Sequence, residues 1–143
     1  MTCVKFNYAD VSRISLPNKR RVQHFVAQIF TFECKELQFL NYVFCSDPYI
    51  LEINRQFLQH DYFTDIITFD MSETTSIIGE LYISVETVQS NAALHGVHYH
   101  NELLRVIFHG ALHLCGYSDK KKSEITEMKG KEEYYLQTYL QIK

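Results

Sequence analysis

The run His109-Gly110-Ala111-Leu112-His113-Leu114-Cys115-Gly116-Tyr117-Ser118-Asp119 limits the folds open to this chain more than any other stretch. Leu104, Phe108, Ala111 and Cys115 recur at helical spacing and predict a helix from Glu102 to Cys115, with Asn101 as its N-cap. His109 and His113, one turn apart, project to the side opposite that apolar stripe, with Glu102 near the same line. Gly116 can adopt the left-handed conformation that ends a helix, so the chain can turn back and bring Asp119 toward both imidazoles. The fold must therefore set one face of this helix on the core and the other on a cleft.

Histidines at i and i+4 can reach one ion at about 2.0–2.1 Å, and a carboxylate completes a His₂-carboxylate set that leaves a position open for water. One divalent ion per chain, held by His109, His113 and Asp119, is expected, with zinc the best match to these donors. Gly110 is informative by what it lacks, because helical zinc peptidases carry their general-base glutamate directly after the first histidine. A peptide substrate is thus disfavoured. Attack on a phosphodiester stays open, since the ion itself lowers the pKa of its water. Three alternatives remain at this point. A non-catalytic assembly factor with a structural metal would close the site with a fourth protein ligand. A metallopeptidase would need a carboxylate base from elsewhere, and a non-haem iron oxygenase is allowed by ligand type.

At 143 residues the chain is expected to form a single domain with a normal core, and 46% hydrophobic with 22% charged residues is ordinary for a globular protein. No apolar run approaches the roughly 18 residues of a membrane span, and Met1 to Lys5 carries no charged-then-apolar leader, so no membrane association and a cytoplasmic location are expected. Cys3, Cys34, Cys45 and Cys115 form no Cys-x-x-Cys pair, and Cys34 and Cys115 read as buried free thiols. The net charge of −3 advertises no nucleic-acid binding, so any such role rests on local clusters. Lys19-Arg20-Arg21 reads as a solvated face, whereas Lys120-Lys121-Lys122 adjoins the metal motif and is a candidate phosphate contact.

The remaining periodicities predict strands at Val4 to Tyr8, Gln38 to Ser46, Asp65 to Asp70 and Glu80 to Val85. Helices are predicted from Lys19 to Glu36, onward from Pro48 through Phe57 and Leu58, from Glu86 to His95, and from Lys122 to Ile142. The order β-α-β-α-β-β-α-α-α predicts an α+β fold, an α/β sandwich in which a mixed sheet of about four strands is covered by helices, with the metal site on a C-terminal helix.

With the motif assembled, the chain resembles the YbeY family of single-strand-specific endoribonucleases, also called rRNA maturation factors. That family's signature is His-Gly-x-Leu-His-Leu-x-Gly-Tyr-Asp-His, and residues 109–117 match every fixed position among its first nine. Ile53-Asn54-x-x-Phe57, Asp61-x-x-Thr64-Asp65-Ile66-Ile67-Thr68-Phe69 and Gly79-Glu80-Leu81 resemble its upstream blocks, and Met128 and Glu132 fall where it places similar residues. The family's third histidine aligns with Asp119, and its arginine after the aromatic aligns with Leu58, so that arginine's role cannot be carried over; Arg55, one turn earlier, is a substitute on spacing. The resemblance implies cleavage of single-stranded RNA, notably the 3′ end of small-subunit ribosomal RNA, in ribosome maturation.

Glu80 and Asp65, at strand starts, are carboxylates able to orient an imidazole or a water. His95, His98 and His100 read as loop residues or as residues behind the metal ligands, His24 as a helix-surface residue and His60 as a turn residue. One or two of the ten tyrosines and ten phenylalanines could stack on unpaired bases.

Overall fold

The computed structural model describes residues 3–58 and 64–141. His60 and Asp61, and Ile142 at the expected end of the last helix, lie outside the described residues. The elements follow the expected order: β1 (Val4–Tyr8), α1 (Lys19–Phe32), β2 (Leu37–Cys45), α2 (Asp47–Ile53), β3 (Ile66–Asp70), β4 (Ile77–Ser84), α3 (Val85–His95), α4 (Tyr99–Leu114) and α5 (Lys122–Gln141). A π-helical turn, Asn54–Leu58, prolongs α2.

The four described strands form one mixed sheet in the order β1-β2-β4-β3. β1 pairs with β2 and β2 with β4 in parallel, and β3 returns antiparallel to β4 at the edge. Strand side chains alternate between faces. Leu40, Tyr42, Phe44, Leu81 and Ile83 join the main core beneath α1 and α4, while Cys45 and Ile67 point the other way, toward Ile50 of α2.

α1 supplies Val22, Phe25, Val26, Ile29 and Phe30 to this core at the i, i+3, i+4 spacing of a one-sided helix. α4 is different. Leu103, Leu104, Val106, Ile107, Phe108, Gly110, Ala111, Leu112 and Leu114 are all buried, because β3, β4, α1, α3 and α5 surround it. A single apolar stripe is therefore too narrow a description of this helix. The His109–His113 line, with Leu114, reaches the cleft described below.

Several boundaries correct the sequence expectations. α4 begins at Tyr99 rather than after Asn101. His98 is its N-cap, the ring Nδ1 accepting the His100 N–H at 3.2 Å, and Tyr99 is held against the core. His100 consequently lies in α4, not in a loop, and His95 ends α3, where the predicted helix also ends. α1 stops at Phe32, short of Glu36, because Cys34 adopts a left-handed backbone (φ 60°) and Lys35 N–H returns to the Phe30 carbonyl. Cys34 is exposed there, against the expectation of burial, while Cys115 is buried as expected; all four cysteines are free thiols. Among the described residues no helix is long and apolar enough to cross a membrane.

Candidate metal centre and nuclease site

Two glycines shape the site. At Gly110, a Cβ would meet Leu81 Cδ2 at 2.4 Å and Ile66 Cδ1 at 2.8 Å, so this position lets α4 lie directly against β4 and β3. That approach sets His109 beside the start of β3. Gly116 has φ 111°, a region L side chains rarely adopt. It turns the chain so that Gly116 N–H bonds the His113 carbonyl at 3.0 Å and Tyr117 N–H bonds that of Leu112 at 3.1 Å. Asp119 then arrives over the histidine line.

The result brings His109, His113 and Asp119 together, with one ligand atom from each within 4.8 Å of the others. Asp119 Oδ2 stands 3.5 Å from His109 Nε2 and 3.5 Å from His113 Nε2. Ligands held at 2.0–2.1 Å around a tetrahedral ion lie about 3.3–3.4 Å apart, so these separations suit one small cation.

The opposite ring nitrogens are both engaged. His113 Nδ1 donates to the Tyr117 carbonyl at 3.0 Å, and a carbonyl can only accept, which leaves the Nε2 lone pair facing Asp119. His109 Nδ1 bonds Glu132 Oε2 of α5. The donor set therefore fits a divalent ion in type, spacing and tautomer.

Behind the histidines lies a charged layer that sequence reasoning missed. Arg105, one turn before His109, grips Glu102 through Nε at 3.0 Å and Nη2 at 2.6 Å. Its Nη1 donates to Glu132 Oε1 at 2.9 Å, and Nη2 stands 3.9 Å from Asp65 Oδ2. Glu102 and Glu132 are buried, at 3% and 4% exposure. Burial pushes the Glu132 carboxyl up, but the bonds and charges of His109 and Arg105 outweigh it and hold the group below the usual range. For Asp65 burial wins over Arg105 and His109, and its pKa is raised. Three carboxylates (Asp65, Glu102 and Glu132) thus gather around one guanidinium, and Asp119 stands against the two imidazoles, an excess of negative charge suited to a cation. The missed signal was Arg105 itself, a cation three residues after Glu102 and one turn before His109 in a largely buried helix.

His109, His113 and Asp119 open on a cleft of about 470 Å³, whose other wall is β3 and the π-helical turn, including Asn54, Leu58 and Asp65. Glu80 is not part of that wall. It alternates away from Gly79 and Leu81 onto the other sheet face, where it accepts the Tyr82 hydroxyl. Arg55 is exposed and sits between the two lining residues of its turn without lining the cleft itself. Lys120, Lys121 and Lys122 are exposed beyond Asp119, with Lys121 N–H bonded to Glu124 at the start of α5.

The family model described as Endoribonuclease YbeY matches residues 7–140. The chain belongs to the YbeY endoribonuclease family. Among YbeY relatives, that of Porphyromonas gingivalis is 47% identical over 125 residues, 86% of this chain and 83% of that protein. The Parabacteroides distasonis protein is 45% identical over 82% of each chain, and that of Cytophaga hutchinsonii 42% identical over 92% of each. Each of the three is named Endoribonuclease YbeY. The solution structure of TM1509 from Thermotoga maritima aligns over 95% of this chain and 88% of that one, with a TM-score of 0.66 and 25% identity. A YbeY nuclease acts on RNA, and in this member His109, His113 and Asp119, a group that could hold a metal ion, line one cleft.

Proposed function

We propose that this chain is a metal-dependent endoribonuclease that cuts single-stranded RNA, with His109, His113 and Asp119 holding one divalent ion, zinc by donor type. The observation that carries the reading is the 3.5 Å spacing of Asp119 Oδ2 from both imidazole Nε2 atoms, each imidazole fixed through its other nitrogen. Among the described residues the cluster contains three ligand side chains, which favours an open, catalytic site over a closed, structural one. A bound ion would supply an acidified water and polarise a phosphoryl oxygen.

The chain's own residues do the rest. Toward a bound ion His109 and His113 would present their Nε2 lone pairs, and Asp119 would add an oxygen that balances part of the ion's charge. The Asp65 carboxyl, which lines the cleft with its pKa raised, takes up the proton released by the attacking water. Lys120, Lys121 and Lys122 attract the RNA phosphates at the rim. Ribosomal RNA in the cytoplasm, at the 3′ end of the small-subunit species, is the substrate and setting we assign, with residues 1–143 acting as one domain.

The test is cleavage of a labelled single-stranded RNA before and after treatment with a chelator. Cleavage should vanish on chelation, return with zinc, and fall at least 100-fold in His109→Ala. Cleavage that persists in both conditions would overturn the proposal.

A further inference from the structure

The two histidines of the site are oriented by different kinds of partner. His113 is fixed by the backbone, through the Tyr117 carbonyl that the Gly116 turn delivers. No side-chain substitution removes that acceptor. His109 depends instead on Glu132, a side chain borrowed from another helix. A carboxylate on a flexible stem holds an imidazole only if it is held in turn.

Arg105 does that. Glu132 divides its two oxygens, Oε1 taking Arg105 Nη1 at 2.9 Å and Oε2 facing His109 Nδ1, so anchoring one oxygen aims the other. Arg105 is anchored by two hydrogen bonds to Glu102, three residues earlier on its own helix. The planar fork of a guanidinium can satisfy Glu102 with one edge while reaching Glu132 with another nitrogen, which a lysine ammonium on its flexible stem cannot do with the same geometry. Its contact to Asp65 at 3.9 Å extends the reach to a carboxylate that lines the cleft.

We infer that Arg105 is a positioning residue for the metal centre, acting through Glu132 to fix the tautomer and orientation of His109. This rests on the function proposed above. Its consequence is selective: disturbing Arg105 should loosen one metal-facing imidazole and leave the other in place. A salt bridge that merely stabilised the packing of α4 on α5 would disturb both histidines or neither.

The experiment uses full-length protein and two readouts. The first is zinc affinity, by competition with a chromophoric chelator in the absence of RNA. The second is the ring-nitrogen NMR spectrum of ion-free protein, which reports the tautomer of each histidine separately. Arg105→Lys, which keeps the charge and loses the fork, should weaken zinc binding about 10-fold, within the 10–100-fold range known for partners of metal-bound histidines.

Because removing the guanidinium alone strands two buried carboxylates, the stronger disruption is made as the pair Arg105→Met with Glu102→Gln. That pair should approach a 100-fold loss. In both variants the His109 ring signals should move toward a tautomer mixture while those of His113 stay at their wild-type positions. Zinc affinity within twofold of wild type together with unchanged His109 signals would overturn the inference. So would equal displacement of both rings. A wild-type protein that binds no zinc would count against the proposed function instead, and the ion-free ring spectra would still decide the role of Arg105.

Discussion

Glu33, in the turn that ends α1, shows how a single carboxylate ties distant segments together behind the site. It accepts the hydroxyls of Tyr117 and Tyr135 and the Lys131 ammonium, with Lys131 also 5.6 Å from the centre of the Tyr117 ring. Tyr117 is the residue whose carbonyl orients His113, so this cluster fixes the loop that carries Asp119. Burial raises the Glu33 pKa, but these hydrogen bonds and the Lys131 charge outweigh it and hold the group below the usual range. On acidification the unfolded chain takes up this proton first, at about pH 4.3, so the stability is complete above that value and is lost as pH falls through the lower folded pKa. Urea midpoints at pH 6 and pH 3 should therefore fall further in the wild type than in Glu33→Gln. Equal losses would show that the cluster adds no pH-dependent stability. None of these partners was visible in the sequence, because Glu33, Tyr117 and Tyr135 are separated by whole elements and only the fold brings them together.

At the scale of elements, the histidine helix was the most legible part of the chain and also the most incompletely read. His109, His113, Gly116 and Asp119 are local in sequence, so helical spacing and a glycine turn were enough to foresee their convergence. Glu132 and Arg105 were not foreseen as partners, since their meeting depends on α5 packing beside α4. Glu80 was misplaced for a related reason: the alternation of β4 was readable, but which face meets α4 is set by Gly79 and Leu81 against that helix. The π-helical turn at Asn54–Leu58 was likewise hidden, because its apolar residues also satisfy an ordinary helical pattern. The close seating of α4 yields a second test. Gly110→Val adds bulk where even a Cβ meets Leu81 at 2.4 Å, and overpacking of this kind should cost about 2–3 kcal/mol. The unfolding midpoint in urea measures it. An unchanged midpoint would mean that α4 can lift from the sheet without penalty and that Gly110 does not place His109.

For the whole molecule, the sheet and helices form a frame that leaves a patch of unbalanced negative charge beneath one cleft. Asp65, Glu102 and Glu132 gather around Arg105 while Asp119 stands against His109 and His113, and mutual repulsion is relieved when a cation enters. An ion that binds only the folded state should raise stability by about 2.7 kcal/mol at 100 times its Kd, which for a domain of this size is roughly 5–10 °C in Tm. Zinc should produce that shift in the wild type and not in a His109→Ala, His113→Ala double variant, as read by thermal denaturation. The overall architecture was well anticipated because strand and helix order follow from hydrophobic period alone, whereas the strand sequence β1-β2-β4-β3 emerged only from the pairing. The most direct test of the central claim is anomalous diffraction from a zinc-soaked crystal, recorded at the zinc absorption edge. A single peak per chain about 2.0–2.1 Å from His109 Nε2, His113 Nε2 and an Asp119 oxygen, with one position open to the cleft, is the predicted result. A zinc peak elsewhere, or Asp119 turned away from a site bound by the histidines alone, would contradict it.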